Sequence, residues 1–213
     1  RIEQLCRLPD TADEIRQIAS SLKADPTRDL FLGKAATETV VKTRDFSRKK
    51  ILAFATHALL PGDIDGLAQP ALAFSAPEVT ELDEDGLLTV GEILTLKLDA
   101  DLVVLSACDT GAGDGSGSEA ISGLGRAFFY SGARALLVTM WPVETTSANK
   151  LTTGLFQIRQ EQPGLSWARA QQQSILRLME DPGLRDTQGI AAASYAHPIF
   201  WGPFVVMGAS GER

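Results

Sequence analysis

Residues 101–107 read Asp-Leu-Val-Val-Leu-Ser-Ala, and from Leu102 to Leu105 every side chain is a branched aliphatic one. A strand wetted on one face alternates apolar and polar residues, so a run without alternation needs cover on both faces. The stretches 51–56 (ILAFAT) and 134–140 (RALLVTM) have the same character. Between and around them lie segments with helical spacing. Ile15, Ile18, Ala19 and Leu22 mark a helix over 11–23, and others are expected over 119–131, 145–160 and 165–180. Buried strands alternating with helices predict an α/β fold: a mainly parallel central sheet in a three-layer sandwich, with helices on both faces.

Smaller elements fill the gaps. Leu30-Phe31-Leu32 reads as a short strand closed by Gly33, and Thr37 opens a short helix through Val41. Residues 42–50 form a basic connector with five bases, Leu72 to Phe74 a strand, 83–86 an acidic turn, and Val90 to Leu96 a helix. Gly132 is placed to end the helix before 134–140, and a last strand is expected over 203–207. A chain of 213 residues suits one domain, so residues 1–213 are read as a single unit. It begins at Arg1 rather than Met, and the expectation is a domain cut from a longer protein.

Composition removes several functions. The net charge of −7 opposes general binding to nucleic acid or an anionic membrane surface. No apolar run approaches the roughly 18 residues of a membrane span. The two cysteines, Cys6 and Cys108, are too few for a disulfide framework, and no metal-ligand spacing accompanies them. A structural zinc site is therefore not expected, and free thiols suit a reducing cytoplasm.

In parallel sheets the reactive groups sit beyond the carboxyl ends of the strands. The residues following 51–56, 101–107 and 134–140 are His57, Cys108 and Trp141. A cysteine in an apolar strand is often just a small core residue, and a lone histidine is often structural. Here both stand at strand ends, 51 positions apart, among only four Cys and His residues in the chain. Together they make a nucleophile and its acid/base: an imidazolium stabilises the thiolate, and imidazole later protonates the leaving amine. The backbone N–H groups of Cys108 and Ala58 are the candidate oxyanion donors. This Cys–His chemistry requires no metal or organic cofactor. For Trp141 a cap on the core is the plain reading.

Other features are read more plainly. The loop 109–118 (DTGAGDGSGS) lacks both phosphate-binding glycine patterns and carries Asp109 and Asp114, so it is expected to act as a lid rather than a nucleotide cradle. His197 before Pro198 is taken as structural, Cys6 as an exposed thiol, and Glu81 to Asp85 as a solvated turn. Gly123 and Gly125 inside a predicted helix call for close packing onto the sheet.

The segments Phe54-Ala-Thr-His-Ala58 and Leu105-Ser-Ala-Cys-Asp-Thr-Gly111 resemble the His and Cys motifs of CHAT domains, caspase-like cysteine peptidase domains often fused to tetratricopeptide repeats. Further matches follow in family order at Asp85-Gly-Leu-Leu-Thr89, Gly123-Leu-Gly-Arg-Ala-Phe128, Gly132-Ala-Arg134, Trp141-Pro-Val143 and His197-Pro-Ile-Phe-Trp201, covering about residues 8–208. The resemblance implies a caspase-like sheet, a Cys108–His57 dyad, peptide-bond cleavage of a protein or peptide substrate, and a bacterial context. It also implies a regulatory repeat domain in the parent chain and, for Trp141, a place bordering the substrate cleft. Ala58 stands where many relatives have glycine, and alanine keeps the N–H that an oxyanion needs. A latent or inactive scaffold that binds partner proteins is the alternative, and a flavodoxin-like nucleotide domain shares the sheet pattern.

The charge is unevenly spread. Residues 51–120 hold 13 acids and one base, a net −12, which leaves the flanks at +5. Asp63, Asp65, Asp109 and Asp114 are the acids taken as near in sequence to His57 and Cys108, so carboxylates of this group are expected to line the cleft and favour Arg or Lys beside the cleaved bond.

Overall fold

The three aliphatic stretches lie side by side in one sheet. The computed structural model describes residues 2–106, 117–141, 143–185 and 191–208. Their order is α1 (Pro9–Ser21), α2 (Glu38–Thr43), β1 (Ile51–Ala55), β2 (Ala58–Leu59), β3 (Ala71–Ala73), α3 (Pro77–Thr80), β4 (Leu87–Thr89), α4 (Val90–Ile93), β5 (Leu102–Ser106), α5 (Gly117–Tyr130), β6 (Ala135–Thr139), α6 (Thr145–Glu161), α7 (Trp167–Met179), β7 (Leu184–Arg185), β8 (Ala191–Ala193) and β9 (Phe204–Gly208). The central sheet runs β1-β5-β6-β9; β1, β5 and β6 are parallel, and β9 returns antiparallel to β6.

Strand β5 explains the layering. Val103 and Leu105 point into a core with Leu124, Ala127 and Phe128 of α5, while Leu102 and Val104 point into another with Leu151, Leu155 and Phe156 of α6. These four strand residues are at most 3% exposed. Burying each such side chain contributes roughly 1.5–3 kcal/mol, so no polar residue is tolerated on either face. Helix α1 joins the second face, packing on α6 and β1. The expected sandwich of a mostly parallel sheet with helices on both sides is the observed one.

Local signals set the ends of the helices. Thr37 caps α2 by accepting the Val40 N–H, and Thr89 with Glu92 forms a reciprocal capping box on α4. Gly132 ends α5 with φ +112°, and the Ala133 N–H reaches back to the Phe128 carbonyl. Gly125 faces Leu136 so closely that an added Cβ would stand 3.0 Å from its Cδ1, whereas Gly123 has only an ordinary contact with Pro70. Close packing therefore accounts for Gly125 and not for Gly123.

Two expectations fail together. Leu30–Leu32 is not a strand, and β1 is only half-buried along its length. Among the described residues nothing pairs with the outer edge of β1, which borders a cavity of about 950 Å³ that residues 30–33 also line. Three apolar residues make a strand only when a neighbour supplies hydrogen bonds. The run 81–85 is also more than a solvated turn. Glu84 accepts the Thr39 N–H at 2.7 Å, while Glu38 accepts the Gly86 N–H at 3.1 Å, a reciprocal tie between the start of α2 and this turn.

Candidate functional site

The chain leaves β1 at Ala55 and enters a second sheet, β2-β3-β4, at Ala58, so His57 sits at the elbow between two sheets. Its backbone is fastened on both sides. The Thr56 N–H donates to the Ser106 carbonyl at 3.2 Å, the Thr56 hydroxyl donates to the Ala73 carbonyl, and the His57 carbonyl accepts the Ala73 N–H at 2.9 Å. The residue is 8% exposed. Its Nε2 lies 2.7 Å from the backbone carbonyl of Cys6. A carbonyl only accepts, so Nε2 must carry the proton, and the lone pair of the neutral ring is on Nδ1. The N-terminal segment therefore orients this imidazole, a role that nothing in the sequence around exposed Cys6 announces.

Ala58 is fully buried and pairs with Leu72. The flanking bond from Ala73 to the His57 carbonyl makes this a non-hydrogen-bonded pair, so the Ala58 N–H points away from β3. Strands β1 and β5 are in parallel register with Ala55 opposite Ser106. Both strands thus stop at the same level of the sheet's carboxyl edge. Cys108 and Asp109, with the rest of the expected lid up to residue 116, lie outside the described residues.

Trp141 follows β6 at that same edge, across β5 from His57, and is 46% exposed. It does not cap the core. Asp63 accepts the Leu60 N–H at 2.7 Å and so holds its own turn, while Asp65 is exposed. His197 accepts the Ile199 N–H at Nδ1, capping the turn over 198–200.

Sequence reasoning missed a carboxylate. Glu14, on α1, is 92 positions from Ser106, yet its Oε2 accepts the Ser106 hydroxyl at 3.0 Å. Burial raises its pKa to about 7, and the Ser106 hydroxyl only partly opposes that. Among the described residues no lysine or arginine pairs with it. In the sequence Glu14 is an ordinary polar position beside the apolar stripe of a helix, and no local pattern sets it apart.

Part of the acidity of residues 51–120 lies elsewhere. Asp99 and Asp101 meet Lys50 and Arg134 before the amino ends of β1, β5 and β6, and Glu92 meets Lys42. The described elements contain no helix long and apolar enough to cross a membrane.

A search of curated proteins found no match to this chain. The family model of the CHAT domain, in contrast, matches residues 4–209, nearly the whole length. That span takes in both strand ends, the elbow histidine and the returning β9, and on this ground the chain belongs to the CHAT-domain family, a caspase-like family.

Proposed function

We propose that this domain is a cysteine endopeptidase that hydrolyses peptide bonds through Cys108 and His57. The observation that carries the reading is the β1–β5 register. Ala55 stands opposite Ser106, and His57 and Cys108 each follow two residues later in the chain. Neighbouring parallel strands lie about 4.8 Å apart, a spacing that suits a thiol and an imidazole acting on each other.

In this mechanism His57, held with its proton on Nε2 by the Cys6 carbonyl, takes the thiol proton at Nδ1. The thiolate attacks the scissile carbonyl, and the resulting oxyanion is held by the N–H groups of Cys108 and Ala58. The imidazolium then returns its proton to the leaving amine. Water attacks the thioester and gives a proton to His57, the C–S bond breaks, the acid product leaves, and the proton on His57 returns to the Cys108 sulfur. Asp63, Asp65, Asp109 and Trp141 are assigned to the rim that substrate crosses. The substrate is a protein or peptide, the compartment a reducing cytoplasm, and a tetratricopeptide-repeat partner domain is in keeping with the family.

A latent state that relays partner binding is the second reading. It is favoured by the burial of His57 beneath the N-terminal segment. A peptide-library digest tests the first. Cleavage by the wild-type chain that disappears in both Cys108→Ala and His57→Ala is the expected result. Cleavage retained in both variants overturns the assignment. No cleavage by wild type, with restored cleavage once a partner is added, favours the latent form.

A further inference from the structure

We propose that the cavity between α1 and α6, beneath the carboxyl ends of β5 and β6, is the pocket for the substrate side chain next to the cleaved bond, and that Glu14 makes it select arginine or lysine. This rests on the reading of Cys108 as the nucleophile, two residues beyond Ser106 in the chain.

The cavity measures about 360 Å³, in the range of sites that hold a small organic group. Ser106 and Thr139, which line it, are the last residues of two neighbouring parallel strands. It therefore opens at the edge where parallel sheets keep their reactive groups. Val143 and Phe204 supply apolar wall for a methylene stem, while Asn149 and Glu14 supply polar groups. A long aliphatic stem ending in a cation matches that combination of surfaces. Asp10 also lines the cavity and is held by the Thr145 hydroxyl at 3.2 Å, so a second carboxylate adds to the negative field.

The electrostatics point the same way. A buried carboxylate is costly unless a positive charge accompanies it. Among the described residues Glu14 has a hydroxyl for company and no base. A guanidinium or ammonium from substrate would supply the missing charge. This places the specificity-determining acid on α1, outside the acidic stretch in which the sequence concentrates its charge.

The test compares peptides identical except at the position before the scissile bond: arginine, lysine, citrulline and norleucine. With the wild-type chain, kcat/KM for arginine should exceed that for citrulline by about 100-fold, because a site built for a charge rejects the neutral isostere. Glu14→Gln preserves size and the bond to Ser106, and should reduce that ratio to less than about 5. A wild-type ratio near 1, or a ratio that survives Glu14→Gln, overturns the proposal. Agmatine binding to the Cys108→Ala chain gives a readout independent of cleavage. Binding that weakens at least about tenfold in the added Glu14→Gln variant supports the pocket, and equal or absent binding overturns it. If no peptide is cleaved, that result bears on the endopeptidase reading and not on the pocket, and agmatine binding alone decides the pocket.

Discussion

At the amino end of the central sheet, Lys50, Asp101 and Arg134 stand one residue before β1, β5 and β6. They join Asp99 in a cluster in which each base has an acid within ion-pair distance. At the carboxyl end of the same strands stand His57, Ser106 and Thr139, with Glu14 reaching in from α1 and, among the described residues, no base paired with it. One end has its charges neutralised internally, and the other holds an acid that is not. Strand polarity makes the difference. In a parallel sheet every strand starts at one edge and finishes at the other, so residues far apart in sequence collect by their position along a strand. The amino end fastens connections, and the carboxyl end is where the proposed substrate would complete an unfinished arrangement.

On that division, substitutions at the two ends should have separable effects. The largest is expected in activity. His57→Ala should lower kcat/KM by at least about 10³-fold, whereas Arg134→Ala should change it by less than about 3-fold. An Arg134→Ala chain that folds normally but has lost cleavage would break the comparison. Stability should respond in the opposite sense. Gly132→Ala, just before the amino end of β6, forces a side chain onto φ +112° and drives its Cβ into the Leu98 carbonyl. It should cost about 3 kcal/mol in a urea titration while leaving the carboxyl end built as before.

Glu14 allows a pH test of the comparison. Its folded pKa of about 7 lies above the usual 4.5 of the unfolded chain, so the folded state holds this proton more tightly. Its stabilising contribution is complete below pH 4.5 and is lost as pH rises through 7. Glu14→Gln should therefore match wild type near pH 4 and be more stable at pH 8, by about 1–2 kcal/mol after allowance for its partial exposure. A wild-type chain that gains stability over that window relative to the variant would show Glu14 to be already paired. The smallest effect belongs to Lys50→Ala. The side chain of its partner Asp99 is 47% exposed, and Lys50 and Arg134 hold that carboxyl below its ordinary range. The expected result is a slight fall in Tm that disappears in about 0.5 M salt, where the Debye length shrinks to about 4–5 Å.

The strands that form the sheet were legible in the sequence because the runs in β5 and β6 lack alternation, and only a two-sided core accepts that. Gly132 was legible as a helix stop because few residues other than glycine adopt positive φ without strain. The short pairs β2–β3, β3–β4 and β7–β8 were less so. Leu87–Thr89, between the expected turn at 83–86 and the expected helix from Val90, was assigned to no element, and Ala191–Ala193 has no strand pattern at all. Two- and three-residue strands are created by a partner, and the partner is a tertiary fact. The same logic explains the absent strand at Leu30–Leu32, whose composition suits one but which has no paired neighbour among the described residues.

The candidate site divides along the same line. The succession of a buried strand and a reactive side chain, written twice 51 residues apart, was enough to select His57 and Cys108 and to suggest their family. It could not rank the acids, because sequence distance from His57 and Cys108 is a poor guide to spatial distance. Asp63 spends its carboxylate on its own turn, and Asp99 and Asp101 lie at the far end of the sheet. By itself the sequence determined the sheet, its layers and the edge where chemistry belongs, since these follow from local apolar pattern and strand direction. Only the tertiary structure decided which groups meet there. The Cys6 carbonyl on His57 and the Glu14 carboxylate on Ser106 join residues 51 and 92 positions apart, and no local preference of either partner specifies such a contact.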